Sequence, residues 1–282
     1  MKIRGSNTMK QHFCMAPAEL DNLNNQQLRS RFLMDGLFAP DVCTVHYVQE
    51  DRLLIFGLMP VRETLTLRCP MFEREAELLS RRELGLVNVG GTAEVLVDGK
   101  AWTLKHKDCL YVGMGERAVA VRSLTDEPAK VYAVSCPAHK AYPDGLVDYE
   151  GAVKVKLGSR EQSNERTIVK YIVPETIPTC QLVMGITTLE SGSVWNTMPP
   201  HTHLKRAEVY LYCDAANEAV FHFMGEPDNL RSIVIHSEEA VISPSWSVHF
   251  AAGTAAYSFV WAMAGENQDF SDVMPIDKLD LK

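Results

Sequence analysis

Short runs of β-branched and aromatic residues, broken every few positions by Gly, Pro or Asp, follow one another through most of the chain. Such runs are too short for helices of ordinary length, and they point to sheets folded into a sandwich or barrel. The clearest unit is residues 92–104. Two alternating runs, 92–97 and 100–104, flank Asp98-Gly99, a pair suited to the positive φ angles of a type I′ hairpin turn. Runs at 43–48, 53–58, 109–112, 118–121 and 130–134 continue the rhythm. A second series follows at 167–173, 180–186, 208–213, 218–224, 232–236 and 257–263. Between the series, residues 136–163 hold Pro137, Pro143, Gly145, Gly151 and Gly158 among mixed polar residues and read as a linker. The expected architecture is all-β, two jelly-roll barrels in tandem with a few short helices. The expected domains are residues 1–145 and 146–282. One helix is predicted near residues 24–33, where Asn24 is a suitable N-cap and Leu28 and Phe32 share a face. The first twenty or so residues are polar and are expected to pack poorly.

The histidines of the second series are not scattered. His201 and His203 are two apart, so a strand points both to one face. Glu208 opens the next apolar run, and His249 closes Pro244-Ser-Trp-Ser-Val-His249 about forty residues later. Three imidazoles and a carboxylate form a ligand set for a divalent metal such as zinc, iron, nickel or manganese. With a coordination position left open, such a metal acts as a Lewis acid. The other histidines lack this context. His222 alternates within an apolar strand and reads as core or barrel-facing, and His236 reads as a hydrogen-bonded surface residue at a strand end. His12, His46, His106 and His139 carry no motif.

Other residues fit a small anionic substrate. Arg166 and Lys170 are four apart on one predicted strand, so both point the same way and could grip a carboxylate; the alternative is a solvated strand face. Arg206 beside the metal motif is a third candidate cation, and Trp246 a candidate pocket wall. Glu190 and Glu266 are carboxylates outside the ligand set and candidate general bases, with Lys170 a further candidate catalytic residue. Composition narrows the partners. Net charge is −8, which argues against nucleic acid. No apolar run reaches membrane-spanning length, and residues 1–15 lack the apolar core of a secretory signal. The seven cysteines are irregularly spaced with no Cys-x-x-Cys, as expected of reduced, buried thiols in a cytoplasmic protein.

His-x-His-x4-Glu followed by Pro-x4-His resembles the two metal motifs of the cupin superfamily. Trp246 and Ala215 stand where that superfamily usually has glycines, which points to a particular subfamily. Trp195-Asn-Thr-Met-Pro-Pro-His-Thr-His203, residues 240–249, Gly265-Glu-Asn-Gln268 and Arg81-Arg-Glu-Leu-Gly-Leu-Val-Asn-Val-Gly-Gly91 together resemble the 5-keto-4-deoxyuronate isomerases. The resemblance runs from about Leu28 to Asn267. It implies an aldose–ketose isomerase of uronate and pectin breakdown, with one zinc on His201, His203, Glu208 and His249. The implied substrate is 5-dehydro-4-deoxy-D-glucuronate and the implied product 3-deoxy-D-glycero-2,5-hexodiulosonate. It also implies a homo-oligomer, a hexamer. An iron dioxygenase on the same ligands and a non-enzymatic sugar-binding double barrel are the alternatives. Laying Arg81-Arg-Glu83-Leu on Lys205-Arg-Ala-Glu208-Val aligns Glu83 with Glu208 and Ala76 and Leu78 with the two histidines. The first barrel is therefore expected to lack a metal site.

Overall fold

The computed structural model describes residues 9–72, 78–268 and 272–282. Its sheets form two pairs. In the first, the seven-stranded order is Met9–His12, Cys43–Val48, Leu53–Leu58, Val131–Pro137, Arg82–Asn88, Cys109–Val112, Gly145–Val147. It faces a four-stranded sheet of Leu65–Thr66, Val119–Ser123, Ala93–Val97 and Lys100–Leu104. In the second pair, the seven-stranded order is Lys154–Leu157, Arg166–Ile172, Val183–Leu189, Ser258–Gly265, Arg206–Cys213, Ala240–Ser243, Leu33–Met34. It faces a five-stranded sheet of Asn229–Ile235, Val220–Glu226, Val248–Gly253, Trp195–Thr202 and Met274–Pro275.

Local chemistry explains the elements. Asp98 and Gly99 have φ of 51° and 82°, and the flanking strands pair from Ala93↔Leu104 to Val97↔Lys100, as the hairpin reading requires. The helix Asn25–Phe32 is closed by a reciprocal cap: Asn24 Oδ1 accepts from Gln27 N, and Gln27 Oε1 accepts from Asn24 N, both at 2.9 Å. Leu53–Leu58 is buried at every position because both faces are covered. Leu54, Phe56 and Leu58 fill the first barrel, whereas Leu53 and Ile55 join the core shared with the second. The two large sheets pack back to back. A Cβ on Gly85 would lie 2.8 Å from Met184 Sδ and 2.9 Å from Ile172 Cδ1, so a larger residue here would have to push aside side-chain ends of the second barrel.

Three expectations need correction. The N-terminal part is not loosely packed. Met9–His12 pairs with Cys43–Val48, and Leu20 is buried, its carbonyl and that of Leu23 each accepting from the Arg231 guanidinium at 2.9 Å. Residues 136–163 are not a plain linker. They contain Gly145–Val147, paired with Cys109–Val112, and Lys154–Leu157, paired with Arg166–Ile172. A boundary between 145 and 146 therefore falls inside a strand of the first barrel, and Leu33–Met34 crosses to pair with Ala240–Ser243 of the second.

The third concerns Glu83. Leu84 and Leu86 fill the first barrel, so Glu83 points out of it, toward the second. Its carboxylate accepts from the backbone N–H groups of Cys180, Gln181 and Leu182 and from Tyr111 Oη, each at 2.9 Å. Glu208 lies on the inner wall of its own barrel, so the two glutamates occupy opposite faces of equivalent sheets. Ala76 lies outside the described residues. No disulfide joins any of the seven cysteines, and all but Cys14 are buried. Among the described residues no helix is long and apolar enough to cross a membrane.

Candidate metal centre

Three strands bring the ligand set together. His201 lies one residue before the end of the Trp195–Thr202 strand and pairs directly with His249 on Val248–Gly253. His203 follows in the turn, and Glu208 lies on Arg206–Cys213. Between Asn196 and His201 the ladder with Val248–Gly253 shifts register, and Thr197 adopts φ of 53°. The ligand atoms of His201, His203 and His249 all lie within 4.8 Å of one another. Glu208 Oε2 is 2.9 Å from His249 Nε2 and 3.5 Å from His203 Nε2. His203, Glu208 and His249 are 4%, 3% and 1% exposed.

Hydrogen bonds on the far side of each ring set its tautomer. His201 Nδ1 faces Pro199 O at 3.1 Å, His203 Nδ1 faces Asp272 Oδ1 at 3.2 Å, and His249 Nδ1 faces Ser247 O at 3.4 Å. Each acceptor calls for a proton on Nδ1, which turns the Nε2 lone pair to the common centre. His201 Nε2 and His203 Nε2 then stand 3.2 Å apart as two acceptors. Among the described residues, the buried Glu208 Oε2 and His249 Nε2 find no aligned hydrogen bond. Mutually repelling, unsatisfied acceptors around one point fit a divalent cation.

Electrostatics agree with neutral His201 and His203 and an ionised carboxylate. Burial, together with the neighbouring His249 and His203, lowers the His201 pKa to about 3. Burial likewise lowers His203 against the raising effect of Glu208. For Glu208, burial pushes upward, but His249, His203 and His201 outweigh it and the carboxyl stays below its ordinary value.

The cluster opens on a cavity of about 290 Å³ walled by His201, His203, Glu208 and Tyr210. Arg166, Thr187 and Thr197 are its other polar residues, while Leu157, Ile168, Met198, Phe259, Trp261 and Met263 make it largely apolar. Arg166 is buried and donates from Nη1 to Asn164 O at 2.9 Å and from Nη2 to Met198 O at 3.0 Å. Tyr210 Oη lies 3.3 Å from Thr197 Oγ1. Burial first, and then the Glu208 charge, push the Tyr210 pKa well up, so its hydroxyl stays protonated.

The other sequence candidates are placed elsewhere. Lys170 is half-buried, beside an irregularity in its strand, and does not line the cavity. Arg206, the third candidate cation, does not line the cavity. It is 1% exposed, and its Nε donates to Asp272 Oδ2 at 3.0 Å. Trp246 is half-buried against the core and outside the cavity wall. Glu266 has a 68% exposed side chain, pairs with Lys205 at 3.6 Å and lines a separate depression with His139 and Cys180. Glu190 accepts from the Thr167 hydroxyl at 2.9 Å, away from the cavity. His222 is buried with Nδ1 2.9 Å from Tyr212 Oη, and burial lowers its pKa to about 3. His236 is exposed at a strand end beside Glu239. Tyr210 and Asp272 had not been singled out. Tyr210 was legible, being two past Glu208 on one strand face; Asp272 carried no signal.

Comparison with known proteins adds to this geometry. The KduI/IolB family pattern matches residues 63–277. A protein of Lachnospira eligens named 4-deoxy-L-threo-5-hexosulose-uronate ketol-isomerase is 48% identical over 270 residues, covering 94% of this chain and 96% of that one. Another of the same name from Halalkalibacterium halodurans is 45% identical, covering 97% of this chain and 100% of its own. Among solved structures, an IolB-like protein from Salmonella typhimurium superposes with a TM-score of 0.65 at 13% identity, over 80% of this chain and 88% of that one. An oxalate decarboxylase from Lactobacillus farciminis gives 0.56 at 10% identity, over 80% of each. These two likenesses concern the fold alone.

Proposed function

The chain belongs to the KduI/IolB family and is a ketol-isomerase, an intramolecular oxidoreductase of cupin fold, and on that premise we propose that it is a zinc enzyme. Its substrate is 5-dehydro-4-deoxy-D-glucuronate (4-deoxy-L-threo-5-hexosulose uronate), and its product is 3-deoxy-D-glycero-2,5-hexodiulosonate. The observation that supports this reading best is the convergence of three Nδ1-anchored imidazoles and Glu208 on one wall of a cavity that Arg166 also lines.

The reaction moves a proton from the hydroxyl-bearing carbon to the neighbouring aldehyde carbon through an enediol. His201, His203, Glu208 and His249 would hold the zinc, which supplies Lewis acidity toward the carbonyl. Arg166 supplies the positive charge for the remote carboxylate, its guanidinium aimed by the Asn164 and Met198 carbonyls. Tyr210, kept neutral, donates a hydrogen bond to a substrate oxygen beside the ligands, and Thr197 orients its hydroxyl. Phe259, Trp261 and Ile168 exclude water from the enediol. Glu266 and Lys170 stand outside this wall, so the proton-carrying group is to be sought among the cavity residues. The reading carries with it a role in pectin and uronate breakdown, a cytoplasmic location, and a homo-oligomer, a hexamer by resemblance, with neither nucleic acid nor membrane as partner.

The test is to incubate the zinc-loaded protein with the product of unsaturated galacturonate breakdown and follow the isomers by NMR in deuterated water. Conversion with deuterium entering the former aldehyde carbon is expected. Absence of turnover, or conversion that consumes oxygen as an iron dioxygenase would, overturns the reading.

A further inference from the structure

The C-terminal segment reaches the ligand cluster from outside the barrel. Met274–Pro275 adds a last strand to the five-stranded sheet, pairing Met274 with Thr202 and Pro275 with His201. Ile276 N donates to Pro200 O at 2.8 Å, Lys282 N to Pro227 O at 2.9 Å, and Leu230 N to Lys282 O at 3.1 Å. At the start of this strap Asp272 turns inward, its side chain buried between His203 and Arg206. One carboxylate oxygen faces His203 Nδ1 at 3.2 Å, and the other accepts from Arg206 Nε at 3.0 Å. Asp272 is thus at once the counter-charge of a buried guanidinium and the acceptor for one ligand ring. The other two histidines have backbone carbonyls in that place.

We propose that Asp272 is a positioning residue for His203, and that docking of the strap from Asp272 to Lys282 is coupled to metal binding. This rests on the metal reading given above. A carboxylate accepting the Nδ1 proton fixes the ring's tautomer and angle and makes Nε2 a better donor to the ion. Loss of such a partner typically weakens metal affinity 10–100-fold. Arg206 in turn holds Asp272 by charge, so the carboxylate keeps its orientation without contact with substrate. Coupling is reciprocal: a docked strap that tightens metal binding must itself be held more firmly when metal binds.

The experiment uses the full-length chain with zinc or cobalt(II) alone. Zinc affinity is measured by chelator competition for wild type, Asp272→Asn and Asp272→Glu, with thermal melts of the metal-free proteins alongside. Asp272→Asn should bind zinc about 10–100-fold more weakly and alter the visible spectrum of bound cobalt, and Asp272→Glu should regain part of the affinity. A merely structural role would instead lower the metal-free melting temperature and leave zinc affinity unmoved. Hydrogen exchange on wild type needs no variant: zinc should slow exchange across Met274 to Lys282 by about tenfold or more, by the same reciprocity. If wild type binds zinc and Asp272→Asn binds it as tightly, or if zinc leaves strap exchange unchanged, the inference is overturned and the metal reading stands. If wild type binds neither ion, both fall.

Discussion

The two barrels share a frame and differ in what fills it. Inside the first, Leu54, Phe56, Leu84, Leu86, Val95, Val97, Leu110 and Val121 close on one another as a fully apolar core. Inside the second, Glu208, Tyr210, Tyr212, His222 and His249 stand where such residues would, and part of the interior is open as a cavity. One barrel spends its interior on packing and the other on ligands and space. The contrast also explains Glu83, whose carboxylate is bound by N–H groups of the partner barrel and so ties the two together without offering a site.

Removal of a ligand is the hardest test of that contrast. His203→Ala should lose metal and at least about 10³-fold in kcat/KM, the scale of losing a metal's contribution to transition-state charge. Circular dichroism should stay that of the wild type. Metal analysis of the wild type should give one ion per chain; two would mean that the first barrel also holds one.

Glu83→Ala probes the other barrel. It strands three backbone N–H groups and the Tyr111 hydroxyl in the interface. Unsatisfied buried groups of this kind cost about 1–3 kcal/mol each when water cannot reach them, so for the four groups a loss of about 4 kcal/mol or more in denaturant unfolding is expected. Zinc per folded chain should not change. Zinc loss with the fold intact would show that the first barrel takes part in the site after all.

Much of this was legible in the sequence, and what was not has physical causes. The hairpin at Asp98-Gly99 and the Asn24 cap depend on neighbours within a few residues, and the four ligands on a spacing that strand alternation makes meaningful. The match of Glu83 to Glu208 failed because similar residues in line say nothing about which face a strand presents, and a one-residue slip reverses it. Arg206 reads in sequence as a cation open to a substrate, but its counter-charge comes from Asp272, a contact that only the folded chain makes. Glu266 follows a strand in the sequence as a cavity residue would, but the chain turns outward there and leaves it exposed beside Lys205.

Arg166 sharpens the contrast within the second barrel, since it should serve substrate and not metal. Arg166→Ala should raise KM and lower kcat/KM about 10–100-fold, the worth of hydrogen bonds to a charged group, with zinc content unchanged. Arg166→Lys keeps the charge but loses the planar fork and should fall between. An unaltered KM would remove Arg166 from the substrate site.

Acid should act on the second barrel first. His201 and His222 are held neutral, with pKa values lowered to about 3 by burial, and His203 is also lowered, whereas histidines in the unfolded chain titrate near their ordinary value of about 6.5. Between those values the unfolded state binds more protons, so the stability from these groups is complete above about 6.5 and is lost as pH falls toward 3. Glu208, lowered from 4.5, acts in the same direction. His46, lowered to about 3 by burial and by His12, adds a similar contribution where the N-terminal strand joins the first sheet. Metal-free melting temperatures should therefore drop by several degrees between pH 6.5 and 4.5, with hydrogen exchange rising earlier in residues 195–263 than in 84–123. Equal rates in both regions would contradict the assignment of the buried imidazoles as the acid-sensitive element.

The smallest effect separates backbone cost from site cost. Gly99 in the first barrel and Gly192 in the second have φ of 82° and 89°, and an added Cβ at either would meet no atom within 4 Å. Alanine at each position is therefore penalised only by its left-handed conformation, about 1–2 kcal/mol. Gly99→Ala should lower stability by that amount and leave zinc affinity and turnover untouched, because the hairpin it closes ends in solvent. Gly192→Ala should cost the same in unfolding, but Gly192 belongs to the turn that leads into the Trp195–Thr202 strand carrying His201. Asn196 on that strand is buried and Thr197 holds a positive φ before the ligands, so the strand's path is set by its own packing more than by the turn behind it. Zinc affinity of Gly192→Ala within twofold of wild type is the expected result. A larger loss would mean that the second barrel's site depends on its turns as well as its walls.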